Sequence, residues 1–216
     1  MTRRSVAALM WIVTIAYWPM QLVVARSWST PYDWTEDVIS ALGATTCTEY
    51  CSPDHALMNA TFIWVGILTT VGAILLAQNS FGIARTGYVL IAASGIATSA
   101  VGFLPVDVAS GPHTIAAQLH FGTHLVGMIC LARALSGPRR YFTVGCIAVA
   151  IVGAIAFVTP GGWGLGSGLT ERIALDTMRV WTIWFAAMLL HDERGALGQR
   201  WAQRPERLWS LGDSNS

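Results

Sequence analysis

Charge is scarce in this sequence. Of 216 residues, 12% are Asp, Glu, Lys or Arg, against about 25% in a typical soluble domain. With 54% hydrophobic residues and a mean hydropathy of +0.52, the composition excludes an ordinary water-soluble fold and points to a bilayer. Lysine is absent, and all 13 basic residues are arginine. Without it the glycine-rich stretch 161–168 cannot be a nucleotide phosphate loop, which needs a lysine followed by Ser or Thr. It reads instead as a flexible helix connection that lets backbones approach. Period-two alternation is also missing, which excludes a β-barrel, and open strands would leave backbone groups unsatisfied in lipid. Finally, no small-residue cleavage site follows the first apolar run, at 21–28. That run is about 20 residues long, against about 7 to 15 in a signal peptide, so it is expected to be a retained helix.

What is present is a set of six apolar stretches, at 5–24, 57–78, 86–104, 114–135, 141–158 and 173–190. Each is close to the roughly 20 residues a helix needs to cross about 30 Å of hydrocarbon. The expected fold is all-α, a polytopic integral membrane protein built as a six-transmembrane-helix bundle. Residues 1–190 form the membrane domain, with a loop at 26–56, and 191–216 form a basic amphipathic tail.

Cytoplasmic segments collect arginine. With the N-terminus inside, the inner segments hold Arg3, Arg4, Arg85, Arg133, Arg139, Arg140, Arg194, Arg200, Arg204 and Arg207, leaving only Arg26, Arg172 and Arg179 elsewhere. The expectation is a plasma-membrane protein with both termini cytoplasmic. The tail, with Trp201, Leu208 and Trp209 among its arginines, reads either as a helix lying on the anionic inner leaflet or as a solvated positive tail. Residues 212–216 are expected to be disordered. Basic residues beside a membrane need no nucleic-acid partner.

The loop 26–56 carries Asp33, Glu36, Asp37, Glu49 and Asp54, with a short amphipathic piece at 34–42. Trp28, Tyr32 and Trp34 suit the headgroup level. The loop is either an interfacial anchor or a lid over a site. Cys47 and Cys51 lie within it on the extracytoplasmic side, where a neighbouring pair is expected to form a disulfide. Cys130 and Cys146, inside spans, read as small buried hydrophobes.

The fourth span carries His113, His120 and His124. At 100° per residue, His113 and His120 fall about 20° from the same direction, with His124 one turn on and about 40° round, so the three form a stripe. At 1.5 Å rise, His120 and His124 lie roughly 10 Å and 16 Å below His113. In the sixth span, Asp176 and Arg179 lie roughly 7 Å and 12 Å below Glu171. Arg172 with Asp176, and Asp176 with Arg179, stand four and three apart, where helix side chains meet. Deep ionisable groups rarely face lipid. The fourth and sixth spans are therefore expected to share a polar layer. His55, Asn59, Pro105, Asp107 and the glycine-rich turn can reach the same layer, while Gly95, Ser99 and Gly102 allow close helix packing.

Several short runs occur in order at the outer ends of helices: Ile39-Ser40-Ala41-Leu42-Gly43, Cys51-Ser52-Pro53 with Asn59, Gly102-Phe103-Leu104-Pro105-Val106-Asp107 with His113, and Gly168-Leu169-Thr170-Glu171-Arg172. In these the chain resembles the domain-of-unknown-function 998 family of multi-pass prokaryotic membrane proteins, over roughly 5–190. The resemblance implies a six-helix membrane fold and brings no reaction. The matching residues are Ser40, Gly43, Asn59, Pro105, Asp107, His113, Glu171 and Arg172.

Three readings of the polar layer follow. It can be a pocket for the head of a lipid or isoprenoid, with membrane lipid as the partner. Arg172 and Arg179 would then hold an anionic group, with Asn59, Ser40, His124 and Asp176 as further ligand contacts. His113 or His120 would act as general acid or base, oriented by Asp107 or Glu171. It can be the metal site of a zinc-dependent membrane hydrolase, with His120 and His124 as ligands completed by Asp107, Asp176 or His113. Or it can be structural polar glue in an assembly subunit with a membrane-protein partner. Bis-histidine haem fits poorly, since the remaining histidines, His55 and His191, lie at the two surfaces. A transporter fits poorly too, for want of an inverted repeat.

Overall fold

A computed structural model describes residues 1–47 and 51–202 of the chain. The parts of the expected tail beyond 202, and Glu49 in the loop, lie outside the described residues. The described residues contain no strand and six helical segments long and apolar enough to span a membrane.

The first span, Arg3–Arg26, is built from α1 (Arg3–Val13) and α2 (Tyr17–Arg26), joined by a 3-10 turn at Thr14–Ala16. The Thr2 hydroxyl starts α1 by accepting from the Ser5 amide at 3.0 Å, a side-chain N-cap. Pro19 accounts for the break: it has no N–H, and its ring crowds the carbonyl four residues back, at Ile15. The remaining spans are α3 (His55–Ala77), α4 (Gly82–Phe103), α5 (Ser110–Ala134), α6 (Gly137–Val158) and α7 (Ser167–Ala202). Helix α7 begins six residues before the expected start of the last span and continues unbroken past Leu190. Glu171 and Arg172 therefore lie inside its first turns rather than ahead of it.

The helices follow one another around the bundle in chain order, and α7 closes the ring against α1. The tightest seam joins α3 to α4. A Cβ on Gly95 would collide with Thr70 and the Gly66 carbonyl, and one on Gly102 with the Asn59 carbonyl and Ile63. In lipid, where acyl chains are as apolar as leucine, such backbone approach does what hydrophobic transfer does in water. The seam between α5 and α6 is much sparser.

Even span number brings the start of α1 and the end of the last span to one face, the arginine face. There Asp192 receives a bidentate contact from Arg139 at 2.9 and 2.8 Å, and Thr2 donates to Glu193. The half of the bundle nearest this face is an apolar core of Trp11, Tyr88, Ile91, Met128, Trp181 and Phe185. Around the outside, Leu9, Val71, Val89, Ile96, Ile115 and Val152 stay exposed, the inside-out pattern of a bilayer-solvated bundle.

The opposite face carries the long loop. The expected amphipathic piece at 34–42 is not one continuous element. Asp33 Oδ1 accepts from the amides of Thr35 and Glu36 and from the Thr35 hydroxyl, and this side-chain turn outcompetes a helix. A 3-10 helix then forms at Ile39–Gly43. Cys47 and Cys51 are bonded in a disulfide, as expected. Cys146 is buried and Cys130 half-buried.

Candidate functional site

The loop, called the lid below for the cavity it covers, is pinned to the helix ends. On α7, the Arg172 Nη1 donates to the carbonyls of Trp34, Asp37 and Gly168 at 3.1, 3.0 and 2.9 Å. Its Nη2 donates to the Tyr32 hydroxyl, and the guanidinium stacks over the Tyr32 and Trp34 rings. Burial holds the Tyr32 phenol well above its ordinary pKa, which keeps it neutral. Gly166 and Gly168 let the lid touch the start of α7: a Cβ there would strike the Thr35 and Asp37 carbonyls respectively. Gly166 also has φ +81°, a conformation only glycine adopts cheaply.

At the far edge, Asp107 Oδ2 accepts from the amides of Thr45 and Thr46 at 2.9 and 2.7 Å and from both their hydroxyls. Partial burial would raise the Asp107 pKa, but these bonds outweigh it and bring it down to about 2. Asn59 donates from α3 to the Gly43 carbonyl at 2.9 Å. Asp107 and Asn59 thus hold the lid; among the described residues Asp107 Oδ1 has no hydrogen-bond partner, and neither carboxylate oxygen meets a histidine.

Under the lid lies a chamber of about 40 Å3, lined by residues of all the spans but α6. The lid contributes Ile39 and Ser40, α2 Tyr17, α3 Phe62, α4 Thr98 and Val101, α5 His113, Ala117, His120 and Phe121, and α7 Glu171, Leu175 and Arg179. Four residues expected to share a polar layer, His113, His120, Glu171 and Arg179, therefore do share one cavity, with Ser40 beside them. Glu171 Oε2 accepts from the Ile39 amide at 2.5 Å and Oε1 from the Ser40 hydroxyl at 3.3 Å, so it fastens the lid and lines the chamber at once.

The histidine tautomers follow from their partners. His113 Nδ1 meets the Leu104 carbonyl at 2.6 Å, and a carbonyl only accepts, so the proton is on Nδ1. His120 Nδ1 meets the Thr98 and Ser94 hydroxyls at 2.8 and 3.0 Å and the Ser94 carbonyl at 3.3 Å. The carbonyl again puts the proton on Nδ1. The Ser94 hydroxyl can then give its own proton to His124 Nδ1, 2.8 Å away. His124 is left protonated on Nε2, facing the Thr182 hydroxyl at 3.3 Å, and Thr182 donates onward to the Met178 carbonyl. Two Nε2 lone pairs, on His113 and His120, have no hydrogen-bond partner among the described residues.

His124 stands behind His120 rather than in the chamber, edge-on to Trp181. It and His120 share Ser94 as a partner, and among the described residues no group of three His, Cys, Asp or Glu converges as a metal set. The donors that surround this pair are hydroxyls, a poor match to a zinc site.

The expected acid–arginine pairs do not form. Asp176 Oδ1 accepts from the Trp18 indole at 2.9 Å and lines a different groove, between α6 and α7, with Arg172. Helical spacing permits Arg172 and Asp176 to meet, but two lid carbonyls with that of Gly168, and an indole N–H, satisfy each better. Arg179 is 7% exposed. It donates weakly from Nη1 to Thr69 at 3.4 Å, stacks over the Tyr17 ring at 5.5 Å, and leaves its Nε unpartnered. No carboxylate lies within 4.0 Å of it among the described residues. The hydroxyls of Ser94, Thr98 and Thr182 went unnoticed in the sequence; Ser94 and Thr98, four apart on α4, were the available signal.

Comparison with known proteins gives one relation. No curated protein and no solved structure matches the chain. The family described as Protein of unknown function (DUF998) matches over residues 6–188, nearly the whole membrane domain, and the chain belongs to that family.

Proposed function

We propose that this chain is a plasma-membrane protein, both termini cytoplasmic, that binds the anionic head of a lipid-like molecule in the chamber beneath its outward-facing lid. The observation that carries this reading is Arg179: a buried guanidinium, deep in a span, aimed into a cavity and without a counter-ion. An arginine costs about 2.5 to 3.5 kcal/mol at mid-membrane even on insertion scales, and an uncompensated buried charge is strongly destabilising. A phosphate or carboxylate seated there would restore the missing charge and accept from its free donors.

The Nε2 lone pairs of His113 and His120 complement this cation. They accept hydrogen bonds from hydroxyls on the bound head, and either can take a proton from one, the role of a general base. Ser94, Thr98, His124 and Thr182 fix the orientation of His120 from behind.

The reading is tested by identifying and titrating lipids on protein purified in nanodiscs. Arg179→Gln should lower the affinity for an anionic lipid such as phosphatidic acid at least tenfold and leave that for neutral diacylglycerol unchanged. Equal binding of phosphatidic acid by wild type and Arg179→Gln would overturn it. Under the structural-subunit reading, the same substitution would instead release a stably associated protein.

A further inference from the structure

Resting on that reading, we infer that the ligand is a chain-bearing anion that enters sideways from the bilayer, its acyl or isoprenyl chain lying in the cleft between α5 and α6 while its head turns into the chamber. The chamber itself, at about 40 Å3, has room for only a few water-sized groups. A second cavity of about 370 Å3 adjoins it. Ser40, His113, Ala117, Phe121 and Glu171 line both spaces, so they form the wall through which the two communicate.

The cleft has the chemistry of a chain site. Val38, Val106, Ala154, Phe157 and Val158 give it an apolar lining. On its lip Gln118 is exposed on α5 and makes no hydrogen bond among the described residues. Such an amide, in a span and beside an apolar trough, suits the ester or hydroxyl region that joins head to chain. The neighbouring surfaces are lipid-facing: Ile115 and Leu119 on α5, and Ile155 and Val158 on α6, are all exposed. The cleft therefore opens where acyl chains lie.

Access from water is obstructed by comparison. Arg172, Glu171, Asp107 and Asn59 pin the lid from two helices and the α4–α5 connection, and Leu169 adds a backbone bond to Thr35 at 2.9 Å. Of the two boundaries, the α5–α6 seam is the loosely packed one. The charge of Arg179 selects an anionic head and the cleft selects a chain; together they define an amphiphile.

The test is photo-crosslinking in nanodiscs with two chain-labelled diazirine probes, a fatty-acyl lysophosphatidate and an isoprenyl phosphate, mapped by peptide mass spectrometry. Labelling should concentrate on residues 114–121 and 154–158 with at least one probe, and the more strongly competed probe identifies the chain type. Ala154→Phe, which fills the cleft without touching the chamber, should reduce that labelling at least tenfold. Arg179→Gln should reduce it similarly. Arg179-dependent labelling found elsewhere, or unaltered by Ala154→Phe, would overturn the cleft and leave the anionic-head reading standing. Cleft labelling indifferent to Arg179→Gln would remove the head reading and, with it, this inference in its stated form.

Discussion

Arg172 and Arg179 sit two turns apart on the same helix and in opposite circumstances. Arg172 spends both Nη atoms on three carbonyls and a phenol and lies over two aromatic rings, with its Nε alone unpartnered. Arg179, whose Nε is idle too, has one long Nη bond to a threonine and one ring. The first guanidinium holds the loop to α7; the second, on the proposed reading, waits for an anion. The lesson is that depth and charge do not separate the two arginines, whereas the occupancy of their Nη donors does.

The largest way to break this contrast is Arg172→Met. It should cost about 3 kcal/mol, since it strands lid carbonyls that now share one cation, and should make residues 27–47 susceptible to protease in intact nanodiscs. Arg179→Met should move the other way, stabilising the ligand-free protein by about 1 to 2 kcal/mol because an uncompensated charge is removed. Thermal unfolding with and without phosphatidic acid checks both. If Arg179→Met destabilised as Arg172→Met does, the two arginines would be alike and the comparison would fail.

Smaller changes sharpen it. Gly168→Ala places a methyl against the Asp37 carbonyl and should cost about 2 kcal/mol while displacing the lid where Arg172 holds it. Asp107→Asn should cost about 1 kcal/mol by weakening charge-assisted bonds to Thr45 and Thr46. Its pH signature has a definite sign. The folded pKa of Asp107 is about 2, below the roughly 3.9 of an unfolded chain. Its contribution is therefore complete above about pH 4 and is lost as pH falls toward 2. The difference in melting temperature between wild type and Asp107→Asn should shrink over that interval.

Much of this architecture was legible because its causes are local. Span length and absence of charge are properties of contiguous residues, and helical rise alone placed His120 and Arg179 at comparable depth, beneath His113 and Glu171. Who bonds whom was not legible. The spacing of Arg172 and Asp176 says only that they can meet on their own helix, and Tyr32, Trp34 and Trp18 reach them from more than 100 residues away in sequence. Ser94 and Thr98 were hidden for a different reason. Hydroxyls in spans commonly bond the carbonyl one turn back, as Thr61, Thr70 and Thr177 do, so nothing in their identity marks the ones that face a histidine. The loop's attachments were not legible either, because an acid or an asparagine does not reveal which partner it will grip.

The hydrogen-bonded series that starts at His120 terminates at the Met178 carbonyl, with Trp181 and the aromatic core between it and the arginine face. It is a cul-de-sac, not a wire. On the proposed reading, a proton that His120 collects would return by the side it arrived from, and collapsing the membrane potential should leave binding in the chamber unchanged.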